Sequence, residues 1–201
     1  MTAPAAQQYD AKAGDVLDRS DARWLRLREI IRAQSLKVAE FVLSSGRTST
    51  YLFQLRQTTM LPEGAALIGE IIVEYMKRNA IACIGGLEMG AVPIVAATAA
   101  MSHLKNYPVD AFFVRKAAKE YGARERIDGF LRDGAEVLII DDVATTGGSI
   151  LKAVEGMEGH GCHVRRALTV VDREEGAAQN LAARKIQLAA IFKRSDFPEI
   201  L

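Results

Sequence analysis

The sequence predicts an α/β fold: a central, mostly parallel sheet flanked by helices, with a small hood on its N-terminal side. Three observations predict it. From residue 81 onward, short apolar runs bounded by glycine or charge recur, as strands covered on both faces do. Stretches of helical length, amphipathic or apolar all round, stand between them. Residues 20–60 break this alternation, which sets them apart as a cap over the sheet's edge. With 201 residues, one domain over 20–201 is expected. The Ala/Gln/Pro-rich residues 1–19 form a tail, expected to be poorly ordered.

In chain order, "DARWLRLREIIRAQ" from Asp21 carries Trp24, Leu27, Ile30 and Ile31 at helical spacing. On that apolar face Trp24 is a core residue. "LKVAEFVLSSGRTSTYLFQL" reads as two strands around a turn at Ser44–Thr48. "PEGAALIGEIIVEYMKRN" has Pro62 where a helix tolerates it and Ile68, Ile72, Tyr75 and Met76 on one face. "IACIGG" is a short buried strand, "AVPIVAATAAM" a buried helix, and "VDAFFVRK" a strand that runs into charge. "AAKEYGARERIDGF" is a polar loop. Val137–Asp142 is a buried strand, and the helix after it aligns Ile150, Val154 and Met157. "HVRRALTVVDREE", "GAAQNLAARK" and "IQLAAIF" close the chain as strand, helix and strand.

Composition excludes several classes of function. The chain is 49% hydrophobic and 25% charged, as globular proteins are. A net charge of +1 gives no whole-molecule attraction to nucleic acid or anionic membrane. No apolar run reaches membrane-spanning length. "MTAPAAQQYDAKAGD" lacks the basic start and apolar core of a secretory signal, so the cytoplasm is the expected compartment. Cys83 and Cys162 have neither metal-site nor disulfide-framework spacing and read as small buried hydrophobes. The three histidines show no metal spacing.

The chemistry concentrates in "VLIIDDVATTGGSI". A buried strand ends in Asp141 and Asp142, where ligands bind open α/β sheets. Glycines 147 and 148 let backbone approach an anion. The hydroxyls of Thr145, Thr146 and Ser149 donate hydrogen bonds, and the N–H groups entering the next helix make an anion cradle. The aspartates would repel a polyphosphate lying on them but suit sugar hydroxyls. As neighbours on a strand they are expected to face opposite sides. One phosphate beside hydroxyl-seeking carboxylates describes a ribose 5-phosphate. The glycines belong neither to a Walker A loop nor to a dinucleotide fingerprint. A plain strand end with an Asp turn and a Thr cap is the bland alternative; the order of strand, carboxylates, hydroxyl/Gly loop and helix favours the phosphate.

This stretch resembles the phosphoribosyl-diphosphate (PRPP) motif of the type I phosphoribosyltransferases, and the resemblance extends over about residues 20–195. It implies that Asp141 and Asp142 hold the ribose hydroxyls and that Val143, Ala144, Thr145, Thr146, Gly147, Gly148 and Ser149 surround the 5-phosphate. "RKAAKEYG" is similar to the mobile catalytic loop of the orotate phosphoribosyltransferases, with Arg115, Lys116 and Lys119 matching. Cations aimed at a departing pyrophosphate stabilise the transition state more than the ground state, and a polar loop with Gly122 can close over the site. Arg115, Lys116, Lys119 and Asp142 are thus the implied catalytic residues. "FVLSSGRTSTYLF" resembles the family's N-terminal hairpin, in which Ser45, Gly46, Arg47, Ser49 and Tyr51 fit and Leu52 or Phe53 lies against the base. "VVDREE" resembles the strand end that supplies an orotate-binding arginine, here Arg173, whose planar guanidinium suits a ring carboxylate; Thr145 is the further orotate contact. "GGLEMGAVPIVAATA" fits as the loop whose backbone binds pyrophosphate.

The implied activity is transfer of the phosphoribosyl group of PRPP to orotate, giving orotidine 5′-phosphate and pyrophosphate in pyrimidine biosynthesis. The implied cofactor is Mg²⁺, held mainly by substrate oxygens and water rather than by a protein cage. The implied assembly is a homodimer with shared sites, Lys116, Lys119 and Arg115 reaching the partner's site. Tyr121 replaces a common His, Gln54 an acidic residue, Ser44 a Lys, and Met89–Gly90 a Tyr-Lys pair. These departures keep open transfer to another base. A non-catalytic PRPP-sensing regulator is the other alternative, one with no need of the cationic loop.

Overall fold

The computed structural model describes residues 16–42, 48–117 and 126–200. Helix α1 (Ala22–Ile30) starts on Asp21, whose carboxylate accepts the Arg23 N–H at 2.8 Å. A π-turn, Ile31–Ser35, carries it into strand β1 (Leu36–Val42), which pairs antiparallel with β2 (Thr48–Phe53). This two-stranded sheet is the predicted hood. The Ser44–Arg47 part of its turn lies outside the described residues. A four-residue helix α2 (Arg56–Thr59), unforeseen in the sequence, leads to α3 (Pro62–Arg78), which has Pro62 in its first turn and Lys77 and Arg78 in its last.

Strand β3 (Cys83–Gly85), helix α4 (Ala91–Leu104), strands β4 (Asp110–Val114), β5 (Ile127–Gly129) and β6 (Glu136–Ala144), helix α5 (Gly148–Gly156), strand β7 (His163–Asp172), helix α6 (Ala177–Ala182) and strand β8 (Gln187–Lys193) follow. They form a six-stranded sheet of order β5-β4-β3-β6-β7-β8. All neighbours are parallel except β5, which runs antiparallel to β4 with Phe112 opposite Gly129. The α/β class and mostly parallel sheet are as predicted. The end of the stretch expected to be polar loop is instead this edge strand; three residues are too few to show a period of two.

The uniform apolarity of β6 has its cause in two cores. Leu138 and Ile140 pack with α1, α3 and α4, among Leu27, Ile72 and Ile94. Val137 and Ile139 pack on the other face with Ile150, Ala153 and Leu181 of α5 and α6. Alternate side chains thus enter opposite cores, and neither face is left for polar residues. Trp24 is core: it packs against Phe192 and donates its indole N–H to the Ile191 carbonyl at 2.9 Å, joining the first helix to the last strand. Val16, ahead of the expected domain start, is also buried in this core. Cys83 is buried, and burial pushes its thiol up to about 12. Cys162 is only half-buried and donates to the Arg132 carbonyl at 3.4 Å. Among the described residues, no helix is long and apolar enough to cross a membrane.

Candidate active site

The strand order reverses between β3 and β6, and the chain segments leaving their carboxyl ends enclose a cleft. It is a cavity of about 300 Å³ walled by the loop after β3, by Asp141, Asp142 and Ser149, by Lys116 beyond β4, and by Arg56 of α2. Two bonds tie the loops together: the Glu88 N–H donates to the Val114 carbonyl at 2.9 Å, and the Lys116 N–H donates to the Glu88 carboxylate at 2.7 Å. A larger cavity, about 370 Å³, lies by the amino-terminal ends of β7 and β8. It is walled by Leu151, Val154, Met157 and Ile186, with Glu155, Glu158 and Arg184 on its lining, but it lies at the carboxyl-terminal part of α5, away from any helix N-terminus, so the smaller cleft is the one equipped for an anion beside its carboxylates.

Asp141 and Asp142 share that cleft, contrary to the expectation that they would face apart. A Cβ placed on Gly90 would lie 2.6 Å from Asp142 Oδ1 and 3.2 Å from Asp141 Oδ1, so both carboxylates reach one point. Alternation along a strand sets the Cβ direction only. At the edge of the sheet no layer separates the two faces, and one further torsion brings both groups together. Burial, and then the neighbouring Asp142 charge, push the Asp141 carboxyl up to about 8. The pair therefore invites hydroxyl donors or a cation. The Asp142 and Val143 N–H groups donate to Asp141 Oδ1 and Asp142 Oδ1 at 3.1 and 2.9 Å, which orients the carboxylates.

Beyond them the backbone turns at Gly147, whose φ of 80° is left-handed and suits glycine, and α5 begins at Gly148. Among the described residues none accepts a hydrogen bond from the N–H groups of Thr145, Thr146, Gly147, Gly148 or Ser149. These five donors sit at a helix N-terminus, with the Thr146 and Ser149 side chains exposed beside them. Donors in this arrangement suit an anion. Val143 is half-buried against the core and Ala144 is buried. Asn180 of α6, missed in the sequence, steadies the loop by donating to the Thr146 carbonyl at 2.9 Å.

Arg173 follows directly: its N–H donates to the Ala144 carbonyl at 2.9 Å. Its side chain, 9% exposed, pairs with Glu175 at 2.9 Å and lies against Tyr51 of the hood. Thr145, on the same loop, is half-buried. Phe53 is not on the cleft. It is buried edge-on to Tyr51 and Phe197, at 5.7 and 5.2 Å between ring centroids, because inward positions alternate along β2 and Tyr51 takes the other one. Lys116 is exposed on the cleft, whereas Arg115 turns away and pairs with Asp128 at 3.2 Å. Lys119, Tyr121 and Gly122 lie outside the described residues.

Arg56 is the cation that the sequence hid. A four-residue helix shows no periodicity, and a lone arginine resembles any surface charge. For a divalent cation, Asp141 and Asp142 offer hard oxygen donors, but among the described residues no group of three or more acidic, His or Cys side chains forms a cage. The donor set fits an Mg²⁺ carried chiefly by a ligand's own oxygens and water.

The family model for the phosphoribosyl transferase domain matches residues 55–193. The orotate phosphoribosyltransferase of Bradyrhizobium sp. (strain ORS 278) is 47% identical over 176 residues, covering 86% of this chain and 95% of the relative. That of Aquifex aeolicus is 43% identical over 175 residues, covering 85% and 95%. Among solved structures, orotate phosphoribosyltransferase of Mycobacterium tuberculosis H37Rv in complex with PRPP superposes with a TM-score of 0.73 at 34% identity, covering 87% of this chain and 98% of that one.

Proposed function

The chain belongs to the phosphoribosyl transferase domain family and, within it, to the orotate phosphoribosyltransferases; from that premise we propose that it transfers the phosphoribosyl group of PRPP to orotate, releasing pyrophosphate. The observation that carries the proposal is the junction of β6 and α5. Five N–H donors with no acceptor among the described residues stand next to two carboxylates that reach one point, which suits a 5-phosphate and the ribose hydroxyls one sugar length away.

The residues divide the work. Thr145–Ser149 hold the 5-phosphate, Asp141 and Asp142 accept from the ribose hydroxyls, and Val143 and Ala144 set the loop's departure from the sheet. Lys116 and Arg56, with Lys119 arriving on its loop, meet the pyrophosphate, where negative charge grows as the bond at C1 lengthens; this stabilises the transition state more than the ground state. Arg115, anchored to Asp128, fixes the root of that loop. Arg173 and Thr145 take the base, and Phe53 supports Tyr51 from behind. Asp141 and Asp142, with the ligand's own oxygens, would hold Mg²⁺, which would supply positive charge against the leaving group. The active form is a cytoplasmic homodimer in which Lys116 stays on its own cleft and Lys119 is supplied to the partner's site.

The direct test is spectrophotometric. With PRPP and Mg²⁺ supplied, orotate's ultraviolet absorbance should fall, and uracil, adenine, guanine and hypoxanthine should be turned over at least about 100-fold less efficiently, the discrimination expected when a charged partner is missing. PRPP binding without turnover of any base, or preference for another base, overturns the proposal.

A further inference from the structure

Arg173 is buried where a ligand's charge is to be recognised, yet part of its hydrogen-bonding capacity is already spent inside the protein. Its Nε lies 3.2 Å from the Tyr51 hydroxyl and its Nη2 2.9 Å from Glu175 Oε1. The Tyr51 hydroxyl itself donates to the same Glu175 oxygen at 3.3 Å, closing a triangle. The guanidinium carbon stands 4.7 Å from the Tyr51 ring centroid, near enough for cation–π attraction. Tyr51 comes from the hood, 122 residues away in sequence, and its ring is buried.

A guanidinium has five N–H donors in a rigid plane and two edges that fit a carboxylate: a side edge of Nε and Nη2, and an end edge of Nη1 and Nη2. The side edge is held by Tyr51 and Glu175. Among the described residues nothing accepts from Nη1. The end edge therefore keeps its parallel pair of donors. Holding one edge also freezes the rotamers of a long side chain, so a ligand does not bear that ordering cost.

We propose that Tyr51 and Glu175 are positioning residues for base recognition, fixing the side edge of Arg173 so that its end edge receives the carboxylate of the base in a two-point grip. This rests on the assignment of orotate as substrate. It also gives the hood a chemical role, since docking of β2 on the sheet completes the base site and specificity then depends on a contact between the two sheets.

The test is steady-state kinetics on the full-length enzyme for three variants, with orotate and PRPP varied separately. Tyr51→Phe keeps the ring and its packing but removes the hydroxyl, and Glu175→Gln keeps the shape but removes the charge. Each should raise KM for orotate by about 5- to 20-fold, the effect of one or two hydrogen bonds, while KM for PRPP and kcat change less than about twofold. The double variant should fall short of the product of the two effects, because both act on one guanidinium. Unchanged KM for orotate in both single variants of an active enzyme overturns the proposal alone; so does an equal rise in both KM values, which marks a merely structural role. No orotate turnover by the unaltered enzyme overturns the functional assignment and this proposal with it. Should Tyr51→Phe fail to fold, Glu175→Gln, on a side chain 27% exposed, decides the matter.

Discussion

Gly90 stands so close to Asp142 that a methyl group on the glycine would lie 2.6 Å from the aspartate's Oδ1. The glycine's own backbone is ordinary, with φ −60° and ψ −41°, so no left-handed conformation asks for it. Its lack of a side chain serves the carboxylate. Gly90→Ala therefore separates function from folding. We expect Tm to change little, since alanine is at least as good as glycine in helical backbone, while KM for PRPP rises about tenfold as Asp142 is displaced. A variant with unchanged KM for PRPP contradicts the proposed role of Asp142.

Asp141 gives a prediction whose sign depends on pH. Its carboxyl is raised in the folded protein, chiefly by burial, so the native state holds the proton more tightly than the unfolded chain does. Below about pH 4 both states are protonated and Asp141 has no effect on stability. Stability is then lost as pH rises toward about 8 and levels off beyond. Asp141→Asn should thus match the parent's Tm near pH 4 and exceed it by several degrees at pH 8, at roughly 2–4 °C per kcal/mol for a chain of this size. The same variant should lose about 10- to 100-fold in kcat/KM. Thermal melts across that range check the first part, and a Tm difference that shrinks toward pH 8 refutes it.

Arg56 lines the cleft with Lys116, Asp141 and Asp142. If it meets the departing pyrophosphate, Arg56→Ala should lower kcat by about 10- to 100-fold and leave KM for orotate within about twofold. A rise in KM for orotate with kcat intact would move Arg56 to the base site.

Shared sites in a homodimer predict complementation. Lys119→Ala and Asp141→Asn proteins, each impaired alone, should exceed the sum of their separate activities when mixed and allowed to exchange subunits, because one hybrid site combines an intact loop with an intact carboxylate pair. Activity that stays at the sum of the two separate proteins excludes a loop acting across the interface.

Much of this was legible in the residues. Val137–Ile140 could be read as a doubly covered strand because each residue enters a core, and the order of strand end, carboxylates, glycine turn and helix could be read because turn and helix chemistry agreed with chain order. What escaped depended on approach in space. The meeting of Asp141 and Asp142 at Gly90 involves segments some fifty residues apart, and strand alternation points the other way. Arg173 was singled out by resemblance alone, and its tether to Tyr51 follows from docking of the hood, which no local period encodes. Phe53 was expected against the base because its hairpin resembles the family's N-terminal hairpin; its depth follows from the packing of Phe197 at the far end of the chain. Edge strand β5, with three residues, is below the length at which alternation shows.

The buried indole of Trp24, bonded to Ile191 and packed at a tilt against Phe192, is the chain's single tryptophan. The protein thus has one indole fluorophore, which can be excited selectively over its five tyrosines and is sited where the first helix meets the last strand. Its emission should be blue-shifted in the native state and shift red only when that seam opens, so a denaturation curve followed at this wavelength reports release of the N-terminal segment. Compared with circular dichroism from the whole sheet, it shows whether the segment that carries the hood comes away first or together with the rest.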